Sequence, residues 1–191
     1  MKIGIDLDGV VFNTQAQWNV DAELYDYLKV KKNNVVNKEE PRIEERYNWA
    51  KKEKTNFINK YFDISEFPLV PGAKEVLNML KKDGHELIVI TARGKLVNGK
   101  EYALNKIKKE KLLFDKLYFE QHDKLKACLK ENIDVMIDDN YHICENIAKN
   151  GISVLYFHSM DRKHIRNKKN LTEIYNWGEA YRYITEKSKE K

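Results

Sequence analysis

Residues 1–14 read MKIGIDLDGVVFNT. An apolar run, KIGIDL (2–7), carries Asp6 at its end, Asp8 one residue later, and Gly9 at once after that. The run is short and continuous, which is how a strand buried on both faces reads. Two carboxylates at such a strand end repel each other unless something binds between them. Whether the rest of the chain supplies that partner decides the reading.

Four further apolar runs follow: ELIVIT (86–91), KLYF (116–119), DVMID (134–138) and ISVLYF (152–157). Helical patterns separate them. Ala73, Val76, Leu77 and Leu80 form one apolar face, with Pro71 at its start and Gly84 at its end. Leu104, Ile107 and Leu112 mark a helix over 100–112, Leu125, Cys128 and Leu129 one over 124–131, and Ile143, Ile147 and Ala148 one ending at Gly151. A basic loop (160–169) and a final helix (172–187) complete the pattern. Alternating short strands and helices predict an α/β fold, Rossmann-like, with a central parallel sheet of about five strands. Residues 14–68 interrupt the alternation. They are helix-like and rich in charges and aromatics, among them Trp18, Tyr25, Tyr47, Trp49, Phe57, Tyr61 and Phe62. The expected organisation is a core of 1–13 and 69–191 with a helical cap at 14–68.

Composition narrows the class. A hydrophobic content of 42% is enough for a real core, and a net charge of +5 is too mild, and too interleaved with acids, for a nucleic-acid stripe. No stable nucleic-acid complex is expected. No run approaches a membrane span and no secretory leader is visible, so the expectation is a soluble cytoplasmic protein of undetermined oligomeric state. Cys128 and Cys144 form no CxxC pair and fall on apolar helix faces, as buried thiols do. The five histidines (His85, His122, His142, His158, His164) show no metal spacing and read as structural or surface residues.

In an open parallel sheet, ligands bind beyond the carboxyl ends of the strands. The strand ends here carry Asp6, Asp8 and Gly9, then Thr91, Ala92 and Arg93, then His122-Asp123-Lys124, then Asp138-Asp139. Acids converging on one rim call for a hard divalent cation. Mg2+ takes oxygen ligands and keeps positions for water and a substrate phosphate. Asp6, the backbone carbonyl of Asp8, and Asp139 with Asp138 in support are the candidate ligands. Gly9, Thr91, Ala92 and Lys124 are the candidate phosphate-binding residues.

These motifs carry a resemblance. IDLDGVV (5–11), VITAR (89–93), Lys124 and IDDN (137–140) resemble, in order, the four motifs of the haloacid dehalogenase (HAD) superfamily of phosphohydrolases. The insert also falls where that family carries its helical cap. More narrowly, the chain resembles the 5′-nucleotidase type C group, which includes the 5′(3′)-deoxyribonucleotidases. The cues are its length, the DGVV opening, the small cap, Asp-Lys before the fourth strand, and the segment Asn170-Leu171…Trp177-Gly178-Glu179. The resemblance implies Asp6 as nucleophile, forming an aspartyl-phosphate, and Asp8 as general acid and base, its pKa raised by surrounding anions. It implies a small-molecule phosphomonoester as substrate, a nucleoside monophosphate first. A sugar phosphate or a nucleic-acid end is the alternative, and a non-catalytic binding protein is a second. Within the cap, Tyr47, Asn48 and Trp49 are the expected base-stacking cluster, with Arg93 at the phosphate or leaving group.

Overall fold

The computed structural model describes residues 1–30, 35–38, 40, 42–94, 96–158 and 164–190. Parts of the predicted cap (31–34, 39 and 41) and of the basic loop (160–163) lie outside them. Six parallel strands form one sheet in the order β3-β2-β1-β4-β5-β6. They are β1 (Lys2–Ile5), β2 (Glu86–Ile90), β3 (Lys116–Tyr118), β4 (Val135–Asp138), β5 (Ser153–Phe157) and β6 (Leu171–Ile174). The helices are α1 (Thr14–Tyr25), α2 (Lys51–Tyr61), α3 (Ala73–Lys82), α4 (Gly99–Lys109), α5 (Lys124–Glu131), α6 (Tyr141–Lys149) and α7 (Trp177–Ser188).

The sheet is covered on both faces because its central strands have no polar face. Ile3, Ile5, Leu87, Val89, Val135 and Ile137 look into one apolar cluster with α3 and α7. Ile88, Ile90, Met136 and Val154 look into another, with Ala127 and Cys128 of α5 and Cys144 and Ile147 of α6. Both cysteines are buried and unbridged, and burial pushes the Cys128 thiol up to about 12, so it stays protonated.

One expectation needs correcting. Residues 172–174, read as the start of the last helix, form with Leu171 a sixth strand paired with β5, and α7 begins only at Trp177. Four residues are too few to show a period, so LTEI is silent in sequence. Asn176 caps α7, its Oδ1 accepting from Glu179 N at 3.0 Å.

Strand order reverses at β1. From there the chain builds outward to β2 and β3 on one side, and to β4, β5 and β6 on the other. The crevice above β1 and β4 is therefore the topological switch point, where the two sets of loops diverge and leave room for a ligand.

Helices α1 to α3 lie between β1 and β2. The chain leaves the core past Phe12 and re-enters at Leu69, and the crossings are tied by Asn13 N to Pro68 O (2.9 Å) and Val70 N to Val11 O (2.9 Å). Between them, Ala22, Tyr25, Ile43, Tyr47, Trp49 and Phe57 form a separate small core. No helix among the described residues is long and apolar enough to cross a membrane.

Trp177 fastens α7 to the loop after β1: it is fully buried and its Nε1 donates to Val10 O at 2.9 Å. Trp177→Phe leaves that carbonyl unpaired in an apolar setting. The expected loss is about 1–3 kcal/mol in chemical denaturation.

Candidate active site

Asp6 follows β1 directly, and its amide donates to Ile137 O of β4 at 3.0 Å, so its side chain stands beside the end of β4. There β4 ends in Asp138. Lys124, the first residue of α5, reaches across to both. Its Nζ is 2.6 Å from Asp138 Oδ2 and 2.9 Å from Asp6 Oδ2. All three are buried, Asp138 completely. The remaining Asp138 oxygen accepts from Asn140 N at 2.8 Å.

The electrostatics follow from this burial. Desolvation alone would lower Lys124, but Asp138 and Asp6 outweigh it and hold the ammonium above its ordinary range. Asp6 is the opposite case. Desolvation raises it to about 6, with Asp138 and Asp8 adding to the rise and Lys124 opposing it.

Asp139 sits at the lip of the same crevice. Donor atoms of Asp6, Asp138 and Asp139 all lie within 4.8 Å of one another. Asp6 Oδ1 is buried and has no hydrogen-bond partner. Three carboxylates facing one lysine leave an excess of negative charge, and an orphaned carboxylate oxygen points into it. An all-oxygen, anionic donor set of this kind fits a hard divalent cation such as Mg2+. Gly9 stands against Asp139. Its φ is +74°, and a Cβ there would collide with the Asp139 carboxylate. The glycine leaves room for that acid, a constraint invisible in sequence.

Thr91 is buried at the end of β2, with its hydroxyl accepting from Arg93 N at 3.2 Å, and Ala92 beside it is exposed at the mouth of the crevice. Asp8, near the Asp6 carboxylate as expected, also meets a guanidinium. Arg93 Nε donates to Asp8 Oδ2 at 3.0 Å and Nη2 to Oδ1 at 2.6 Å. Arg93 is itself buried, lies 4.9 Å from the Phe62 ring and 5.8 Å from Trp18, and keeps Nη1 without a partner.

Beyond Arg93 opens a cavity of about 310 Å³, lined by Trp18, Phe57, Tyr61 and Phe62 with Arg42 and Glu44 at its polar side. Trp18 and Phe62 stack at 5.7 Å. The expected stacking cluster lies elsewhere. Tyr47 and Trp49 are buried in the insert's own core, stacked on each other at 4.5 Å, with Trp49 Nε1 donating to Asp26 Oδ1 at 2.7 Å. Asn48 between them is exposed. Their rings are consumed by packing, because a small helical unit needs its largest side chains inside. His122 is exposed and takes no part in the carboxylate cluster.

No protein-family model matches the chain. A protein of Clostridium acetobutylicum named nucleotidase is 26% identical over 186 residues, covering 95% of this chain and 92% of its own. One of Oceanobacillus iheyensis, provisionally named a nucleotidase, is 27% identical over 117 residues. That match spans about 60% of each chain. Among solved structures, a haloacid dehalogenase-like hydrolase of Streptococcus pneumoniae superposes with a TM-score of 0.67 at 16% identity, covering 96% of this chain and 97% of the other. Another from Xanthomonas campestris gives 0.62 at 13% identity, covering 97% and 95%. The chain has the haloacid dehalogenase-like fold, as its four motifs imply.

Replacing Lys124 by Met leaves Asp6 and Asp138 buried and facing each other. The metal-free variant is expected to lose about 3–5 kcal/mol in denaturant titration, and added Mg2+ to restore part of it. Asp6 gives a second test. Its folded pKa of about 6 lies above its ordinary 3.8, so the native state takes up a proton before the unfolded chain does. In the metal-free protein this group's contribution to stability grows as pH falls through 6 and is lost as pH rises through it. Conversely, the rise in melting temperature on adding Mg2+ shrinks below pH 6, where a proton competes for the site. Thermal melts on either side of pH 6, with Asp6→Asn as control, check both signs.

Proposed function

We propose that this protein is a Mg2+-dependent phosphomonoesterase acting through an aspartyl-phosphate, with nucleoside monophosphates as its substrate class. The observation that carries the reading is the buried Asp6–Lys124–Asp138 cluster, with Asp139 beside it; an aromatic-lined cavity of about 310 Å³ adjoins the neighbouring Asp8 and Arg93. The two relatives named as nucleotidases support the substrate class.

In this reading Asp6 is the nucleophile. Its Oδ2 is held by Lys124, which fixes the carboxylate's orientation, while the unpartnered Oδ1 is the oxygen left to attack or to ligate. Asp6, Asp139 and the backbone carbonyl of Asp8 would hold the cation, with Asp138 supporting through Lys124. Bound there, Mg2+ supplies charge neutralisation for the carboxylates and the phosphoryl oxygens. Thr91 and the amides of the loop after β1 bind the phosphoryl group, and Lys124 balances its charge. The phosphorus–oxygen bond to the leaving group breaks as Asp6 bonds to phosphorus. The departing oxygen takes a proton from Asp8, which then removes one from the water that opens the phosphoenzyme.

Arg93 donates to both Asp8 oxygens and so orients this carboxyl group, each oxygen keeping a second lone pair, and its buried, unpartnered Nη1 is a further donor for the phosphate or the leaving oxygen. The cap, residues 14–68, closes the leaving-group side. Its rings suit a planar base better than a sugar's hydroxyls, since aromatic faces stack on bases at about 1–3 kcal/mol each.

Phosphate release from a panel of nucleoside monophosphates, sugar phosphates and an aryl phosphate, with and without Mg2+, tests the reading. Nucleotides are expected to lead, and activity to vanish in Asp6→Asn. Hydrolysis that survives in Asp6→Asn overturns the covalent scheme, and a preference for sugar phosphates overturns the substrate class. Trp18→Ala is expected to raise KM for nucleotides about tenfold or more while Trp49→Ala acts through stability alone.

A further inference from the structure

A second group of ligating side chains lies outside the carboxylate crevice. His158 follows β5, His164 stands farther along the same connection, and Glu173 is on β6, the edge strand. Glu173 is half-buried, and its Oε1 faces both imidazoles, 2.9 Å from His158 Nδ1 and 3.6 Å from His164 Nδ1. The two rings lie parallel with centroids 4.3 Å apart. Tyr175 closes the group. Its hydroxyl donates to Glu173 Oε2 at 2.9 Å and lies 3.3 Å from His164 Nδ1. Ligand atoms of His158, His164 and Glu173 all fall within 4.8 Å of one another.

Two imidazoles and a carboxylate are a donor set for zinc and its neighbours in the transition series, not for magnesium. In a tetrahedral shell with bonds of about 2.0–2.1 Å, adjacent donors stand roughly 3.3 Å apart. The two nitrogen–oxygen separations here straddle that value. A hydrogen bond accounts for His158 against Glu173. His164 Nδ1, 3.6 Å from the same oxygen, has its hydrogen bond with the Tyr175 hydroxyl at 3.3 Å, and Ile165 N also donates to Glu173 Oε1 at 3.3 Å. A cation among them takes both imidazole nitrogens at once.

We propose that His158, His164 and Glu173 form a second cation site, for a borderline-soft divalent ion of the zinc class, with Tyr175 or a water in the fourth position. Its place in the fold gives it a task. Among the described strands β6 pairs with β5 alone, and the ion would tie His158 and His164, on the chain between those two strands, to it. Coordination requires the His164 ring to turn so that its nitrogen lone pair meets the ion. With its side chain 72% exposed, that ring has room to do so. The site shares no residue with the Asp6, Asp138 and Asp139 group, and it stands whether or not the chain is a phosphatase.

The test is a titration of the metal-free full chain with Co2+ in excess Mg2+, followed by Zn2+. Visible absorbance and melting temperature are the readouts. One equivalent of Co2+ should give the intense bands of a four-coordinate, imidazole-bound ion, Zn2+ should bleach them, and the melting temperature should rise. His164→Ala alters an exposed side chain, so it keeps the fold, and it should weaken Co2+ binding by at least about 10- to 100-fold. Glu173→Gln should do the same, and Asp139→Asn should leave the bands intact. Bands that are absent in the wild type, unchanged in His164→Ala, or lost only in Asp139→Asn would overturn the proposal.

Discussion

The Lys124 ammonium between Asp6 and Asp138 is the contact on which the site depends. Two carboxylates buried at adjacent strand ends repel strongly in a setting that water barely reaches. One lysine within 2.6 and 2.9 Å of both turns that repulsion into a bridge. The bridge fixes the register of three elements, the ends of β1 and β4 and the start of α5. It also leaves Asp6 Oδ1 without a partner and the cluster short of positive charge. One arrangement thus both steadies the strand ends and leaves a donor open. The lysine satisfies one oxygen of each carboxylate and leaves Asp6 Oδ1 without a partner.

A second, half-buried ion pair joins this centre to the insert. Arg93 holds Asp8 with two hydrogen bonds while its guanidinium lies against Phe62 and Trp18. Residues from the loop after β1, from the loop after β2 and from the helical insert therefore meet at one guanidinium. The insert's own core, built on Tyr25, Tyr47, Trp49 and Phe57, keeps its shape. Trp18, Phe62 and Tyr61, at the side nearer the sheet, line the cavity beside Arg93.

Much of this was legible in the chain. The strand runs at 2–7, 86–91, 116–119, 134–138 and 152–157 lie within a residue or two of the observed strands, because strands buried on both faces read as continuous apolar runs. The acids, the threonine and the lysine were legible for a related reason: polar groups at the ends of such runs stand out. The sixth strand was not, since LTEI is too short to carry a period. Aromatic residues in the insert could be counted but not sorted. Helical spacing does not say which ring faces the small core and which the crevice, so it does not separate Tyr47 and Trp49 from Trp18 and Phe62. His158 and His164 read as surface residues because their third partner, Glu173, comes from a different strand.

The sequence by itself determined the α/β alternation, the chemical kinds of group at each strand end, and the order in which they arrive. These are local properties, carried by hydrophobic runs and the residues that end them. Tertiary structure decided everything that depends on two elements meeting. It set Lys124 between two aspartates and gave Asp8 to Arg93. It also required glycine at position 9 to clear Asp139, and divided the aromatic residues between core and cavity. Pairing energies fall steeply with distance, and distance between elements is set by the packing of the whole sheet, which no single stretch of chain encodes.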